Sequence, residues 1–161
     1  RMCYEPIMKY GKAAMDSNDR KQNSYEYEQV VLAIIVSTAV ASIYLTAEHT
    51  VHYNSGLAHA IFYSLTAHPH IEKNHLHGEV VSYGVLNLLL VDNNMEDFET
   101  VYKFNKSVGL PTCLKDLEFT KDSIEQLAEN AVIMKDIEHN PYVITKEMLI
   151  TSMEKLEELN K

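Results

Sequence analysis

Histidine is the residue type in this chain most able to do chemistry. There are eight, and seven of them fall between His49 and His77. A neutral imidazole is a common ligand for zinc and other borderline transition metals. His49 and His52 are three apart, so a continuing helix would place both on one face. His59, His68, His70, His75 and His77 form a second group, with His59 in an apolar run and His77 at the mouth of another. Solvation or core hydrogen bonding is the commoner role of such residues, and no HExxH or Cys/His finger spacing is present to override it.

The elements that must position these side chains read as helices. Residues 2–15 form a first short helix, with Pro6 tolerated only in its first turn. The polar stretch DSNDRKQN is a break, after which Asn23 and Glu26 have capping-box spacing. A helix is expected from 24 to about 45. Its uncharged run of sixteen residues, 30–45, is shorter than the ~20 a membrane span needs, and predicts a helix buried on most sides of a bundle. Residues 46–55 read as connection. Ser55 is placed to cap a helix over 56–67, which Pro69 ends, leaving 70–75 as loop. A helix over 78–91 carries Val81, Val85, Leu88 and Leu89 at helical spacing.

Further on, Phe98, Val101, Tyr102 and Val108 share a helical face, stopped by Gly109 and Pro111. Ser123 heads an amphipathic stretch with Ile124, Leu127, Ala128 and Ala131. After the Asn140–Pro141 turn, Thr145 caps a last helix striped with Leu149, Met153, Leu156 and Leu159. The expectation is an all-α bundle of about six to eight helices forming one domain over residues 1–161.

Composition narrows the function classes. The 161 residues are 46% apolar and 23% charged, an ordinary globular balance. Only 5 Gly and 4 Pro leave too few turns for a sandwich or barrel of short strands. With 14 Lys+Arg against 23 Asp+Glu, the formal charge of −9 repels phosphate backbones and anionic lipid, so neither nucleic acid nor membrane is an expected partner. Cys3 and Cys113 are too distant for a CxxC motif, which fits a reducing cytoplasmic setting.

The words around the histidines are more specific than their number. The segment NSGLAHAIFYSLTAHPHIEKNHLHGEVVSYGVLNLLL resembles the metal-site region of the iron-containing alcohol dehydrogenase superfamily, particularly glycerol dehydrogenases. There a helix carries a ligand histidine in a GLAxAHAI-like context, and a second ligand follows eighteen residues later in an HGE-V-x-x-G sequence. Here His59 lies in Gly56-Leu57-Ala58-His59-Ala60-Ile61 and His77 in His77-Gly78-Glu79-Val80-Val81-Ser82-Tyr83-Gly84, eighteen residues apart. Cys3-Tyr4, Lys9-Tyr10-Gly11, Gly109-Leu110-Pro111-Thr112 and Asn140-Pro141 are similar to further family turns and helix starts, so the likeness runs along essentially the whole chain.

That resemblance implies the C-terminal helical domain of a two-domain enzyme. His59 and His77 would be two of three metal ligands, the metal being zinc or iron. The implied reaction is hydride transfer between a small alcohol or polyol and a nicotinamide cofactor, NAD. In the family the third ligand, an aspartate, and the glycine-rich cofactor site both precede this region. The chain itself has no GxGxxG and no Gly-Gly pair. An N-terminal cofactor-binding domain is therefore the expected partner, a homo-oligomer is possible, and the 161 residues alone should be inactive.

Phe62 departs from the family pattern, which has histidine at that position, one turn after His59. The competing reading, from this departure and the missing aspartate, is a non-enzymatic helical packing or oligomerisation module. Glu79 reads as a first-turn capping residue, Tyr63 and Tyr83 as packing residues, and His49, His52, His68, His70 and His75 as surface positions.

Overall fold

The computed structural model describes residues 2–46 and 55–161. Every regular element among them is helical, and the α-helices number eight when the continuous helix over residues 25–46 is counted once. Packing divides the chain into two compact units, residues 1–54 and 55–161.

The first unit is a pair of helices. Helix α1 is Tyr4–Asp19, with Pro6 in its first turn where a missing N–H costs nothing. Lys21, at φ 54°, turns the chain back. Helix α2 covers 25–46, as Tyr25–Leu32, a π-helical turn Ala33–Ser37 and Thr38–Thr46. Its cap is Ser24, whose hydroxyl accepts from the Tyr27 N–H at 3.2 Å, rather than Asn23, which instead donates to Glu28. The two helices pack on each other, with Tyr10 and Tyr25 edge to face at 5.7 Å.

Helix α2 does not meet the expectation of burial on most sides. Among the residues whose burial is described, Ala33 is the only buried one, whereas Leu32, Ile34, Ile35, Val36, Ile43, Tyr44 and Leu45 are exposed. A two-helix unit covers only one stripe of each member, and a run that is apolar all round leaves the rest open. By length and composition α2 is also the one described helix able to cross a membrane.

The second unit holds the larger core. Its helices are α3 (Leu57–Thr66), α4 (Pro69–Asn74), α5 (His77–Val91), α6 (Met95–Val108), α7 (Ile124–Val132) and α8 (Lys146–Leu159). Short 3₁₀ turns cover Leu114–Leu117, Lys121–Ser123 and Lys135–His139. Helix α3 packs against α5, α7 and the 135–139 turn, while α8 packs on α5 and α7. Leu57, Ile61 and Leu65 of α3 meet Val80, Tyr83 and Leu86 of α5, Leu127 of α7 and Leu149, Met153 and Leu156 of α8 in one core. Two of the polar groups buried with them are paired: Ser152 Oγ donates to Asn87 Oδ1 at 2.9 Å, and Glu157 accepts the Leu114 N–H at 2.7 Å.

Local signals place most boundaries. Asn94 caps α6, Gly109 ends it at φ 75°, and Thr145 caps α8 by accepting from Met148 N–H. Pro69 acts differently from expectation. It is the first residue of α4, where its fixed φ starts a helix instead of stopping one. Ser55 does not cap α3 either; Gly56 is the cap residue and the Ser55 hydroxyl bonds His139 Nδ1 at 3.1 Å. Leu159 is half-exposed, so the buried stripe of α8 ends at Leu156 and Glu157.

Candidate metal centre

The site is built where α3 and α5 cross. Residue 84 is glycine, and a Cβ there would lie 2.4 Å from the Ala58 carbonyl oxygen and 2.8 Å from its Cα. Only a bare backbone permits that approach. Val80, Tyr83, Gly84, Leu86 and Asn87 are the buried residues of α5; of the stripe expected from the sequence, Leu88 and Leu89 pack at the edge of the core, while Val81 and Val85 are half-buried. The Gly84–Ala58 contact also fixes the two histidines. His59 is the residue after Ala58, and His77 opens α5 two turns before Gly84.

The imidazoles of His59 and His77 are neighbours, with ring centres 5.7 Å apart and planes tilted by 45°. An imidazole nitrogen binds zinc at about 2.0–2.1 Å, so each ring centre sits about 3.2 Å from the ion and two rings on one ion lie at most about 6.4 Å apart. The observed separation lies within that limit. The protonation state fits as well. Partial burial, then the neighbouring His77 ring, lowers the His59 pKa, outweighing the opposite pull of Asp136 on the adjoining 135–139 turn. A neutral ring keeps a lone pair for a metal.

Two features of the pair are incomplete as a metal site. Among the described residues no group of three or more His, Cys, Asp and Glu side chains is arranged to hold an ion. Neither imidazole has a hydrogen-bond partner among the described residues; instead the ring of Phe62, one turn along α3 from His59, meets His77 edge-on with centres 4.3 Å apart. Phe62 in turn touches Tyr63, which is exposed.

The other candidates lie elsewhere. Glu79 caps α5, its carboxylate accepting the Leu76 N–H at 3.0 Å. His68 and His70 both pack against Phe119 at 4.9 Å, and His70 Nε2 contacts the Leu117 carbonyl at 3.3 Å. His75 lies between Glu79 and Glu118, at 3.7 and 3.5 Å. Tyr83 is fully buried, and burial pushes its phenol above the ordinary tyrosine range. His49 and His52 lie outside the described residues. The sequence reading missed Asp136, seventy-seven positions from His59 with no local signal, and the role of Gly84, whose signal was a glycine inside an apolar helix.

No family model matches the chain. Individual proteins do. It is 34% identical over 147 residues to a glycerol dehydrogenase of Thermotoga maritima, covering 87% of this chain and 37% of that protein. It is 30% identical over 146 residues to a glycerol dehydrogenase of Escherichia coli, covering 86% of this chain and 36% of that one. The chain thus spans a little over a third of the length of these curated relatives. In fold it is similar to the crystal structure of a probable glycerol dehydrogenase from Sinorhizobium meliloti. The TM-score is 0.80 at 23% identity, over 98% of this chain and 43% of that one.

Proposed function

On the premise of this homology to the glycerol dehydrogenase family, we propose that the chain is the C-terminal helical metal-binding domain, residues 1–161, of an alcohol or polyol oxidoreductase of the iron-containing alcohol dehydrogenase superfamily. The observation that carries the reading is the neighbouring pair His59 and His77, at a separation within the limit for one ion. His59 and His77 hold the ion, zinc or iron, as neutral ligands. When bound, the metal supplies Lewis acidity that favours the alkoxide form of the substrate alcohol. Two protein donors leave coordination positions for a third ligand and for substrate oxygen.

The chain's own residues do the positioning. The Gly84–Ala58 contact sets the distance between the two ligands, and the Glu79 cap anchors the first turn of α5, from which His77 projects. Burial keeps His59 unprotonated near neutral pH, so the ligand form is ready without losing a proton. NAD and the third ligand come from a companion cofactor domain, and the scarcity of cysteine supports a cytoplasmic setting for the complete enzyme.

A second reading, a helical packing module without dehydrogenase activity, is favoured by one observation. No third donor completes a trio with the two histidines among the described residues. The two readings separate in one assay. The longest natural polypeptide containing this sequence is tested for NAD reduction with a panel of alcohols and polyols. The oxidoreductase reading expects activity that a chelator removes, that zinc or iron restores, and that falls at least about 100-fold in His59→Ala or His77→Ala, as loss of a ligand demands. Activity indifferent to both histidines contradicts it, and no turnover in the metal-loaded protein leaves the packing module.

A further inference from the structure

We propose that Phe62 is the positioning residue of this centre: its ring edge fixes the His77 imidazole in its orientation beside His59. The inference rests on the metal reading above. A ligating histidine is ordinarily oriented by a hydrogen bond from its second ring nitrogen to a carboxylate, carbonyl or water, which sets the ring's rotation and tautomer. His77 has no such partner among the described residues, and neither does His59. His77 is also exposed at the first position of its helix, where an unrestrained imidazole samples several rotamers.

Two rings touch it. His59 lies 5.7 Å away and is the other half of the pair. Phe62 lies 4.3 Å away at 63°, an edge-to-face contact closer than any other ring contact of the described residues. Phe62 is itself held, since it packs on the core through α3 and abuts Tyr63. Because α3 carries both His59 and Phe62 one turn apart, one rigid element presents a ligand and a restraint to the same imidazole. Packing here does what an outer hydrogen bond does in other sites.

The test uses the full 161-residue chain and Co(II) as probe, its affinity read by competition with a chromophoric chelator. Phe62→Leu keeps most of the volume and removes the ring edge; Phe62→Tyr keeps the ring. We expect Phe62→Leu to bind Co(II) about ten-fold more weakly, at the lower end of outer-shell effects, with an unchanged circular dichroism spectrum. Phe62→Tyr should restore binding to within about two-fold. In the metal-free chain the His77 ring protons should show a ring-current shift in the wild type and in Phe62→Tyr, lost in Phe62→Leu. Equal Co(II) affinity in wild type and Phe62→Leu overturns the positioning role, and so does an unshifted His77 ring in the wild type. A His59→Ala/His77→Ala double variant keeps the readings apart: Co(II) uptake unaffected by it overturns the metal centre itself, whereas uptake lost in it but indifferent to Phe62→Leu overturns only the role of Phe62.

Discussion

The Cα of Gly84 lies so close to Ala58 that a methyl group on it would meet the Ala58 carbonyl oxygen at 2.4 Å. Ala58 is followed by His59, and Gly84 shares a helix with His77, so this one backbone contact sets the spacing of both imidazoles. The obstacle to a larger residue is backbone, which cannot swing aside as a side chain does. Gly84→Ala should push α3 and α5 apart and cost roughly 1–3 kcal/mol, the usual range for overpacking. Thermal unfolding measures that cost. On the metal reading Co(II) affinity should fall with it, because the separated rings would stand too far apart for one ion. Unchanged stability would mean the two helices do not approach this closely.

The first turn of α5 gives a second prediction. Glu79 accepts the Leu76 N–H at 3.0 Å, satisfying an otherwise orphaned donor just before His77. Glu79→Ala should cost about 1 kcal/mol and Glu79→Gln much less, since the amide oxygen still accepts. Denaturant unfolding of the two variants distinguishes a capping role from a chemical one.

Acid should weaken the fold through His59. Its pKa is lowered by partial burial and by His77, so the unfolded chain takes up a proton at a higher pH than the folded one. The contribution of the neutral ring is fully present above the ordinary histidine pKa of about 6.5 and is lost as pH falls through that value toward the folded pKa. Stability measured from pH 8 to 5 should therefore drop below about 6.5, and His59→Gln should flatten that part of the curve. A His59 ring that titrates above 6.5 by NMR contradicts the assignment.

Tyr83 behaves in the opposite sense with pH. Its hydroxyl is buried with no hydrogen-bond partner among the described residues, and burial raises its pKa. Below the ordinary tyrosine pKa of about 10 both states are protonated; above it the unfolded chain ionises first, so stability falls as pH rises. Tyr83→Phe should remove that alkaline loss and cost less than about 1 kcal/mol at neutral pH, since the deleted group has no bond to lose. A larger loss at neutrality would reveal a partner for the hydroxyl.

Much of the second unit was legible because its signals are local. Gly109 and Thr145 stand where a stop and a cap belong, and Ile124, Leu127, Ala128 and Ala131 form the buried stripe that their spacing predicts. The errors came from residues whose meaning depends on distant partners. Pro69 suits a helix start as well as a stop. On α5 the fully buried positions surround a glycine contact with another helix, and only Leu88 and Leu89 of the expected stripe reach the core, at its edge. The uncharged run in α2 said nothing of how much surface a two-helix unit can cover.

The site divides in the same way. His59 and His77 were legible as a pair from the words around them, and the structure brings their ring centres to 5.7 Å. Phe62 stood out in the sequence as a departure from pattern, but its edge contact with His77 depends on the crossing of α3 and α5 and has no sequence signal. Asp136 acts on His59 only because a 3₁₀ turn far along the chain folds against α3.

The most direct test of the central claim is a Co(II) titration of the wild-type chain beside His59→Ala and His77→Ala. Two imidazoles sharing one ion predict weak binding at one ion per chain, abolished by either substitution, with visible bands diagnostic of nitrogen ligation. Binding that survives both substitutions, or a wild-type chain that takes up no Co(II) at millimolar concentration, would contradict the metal centre.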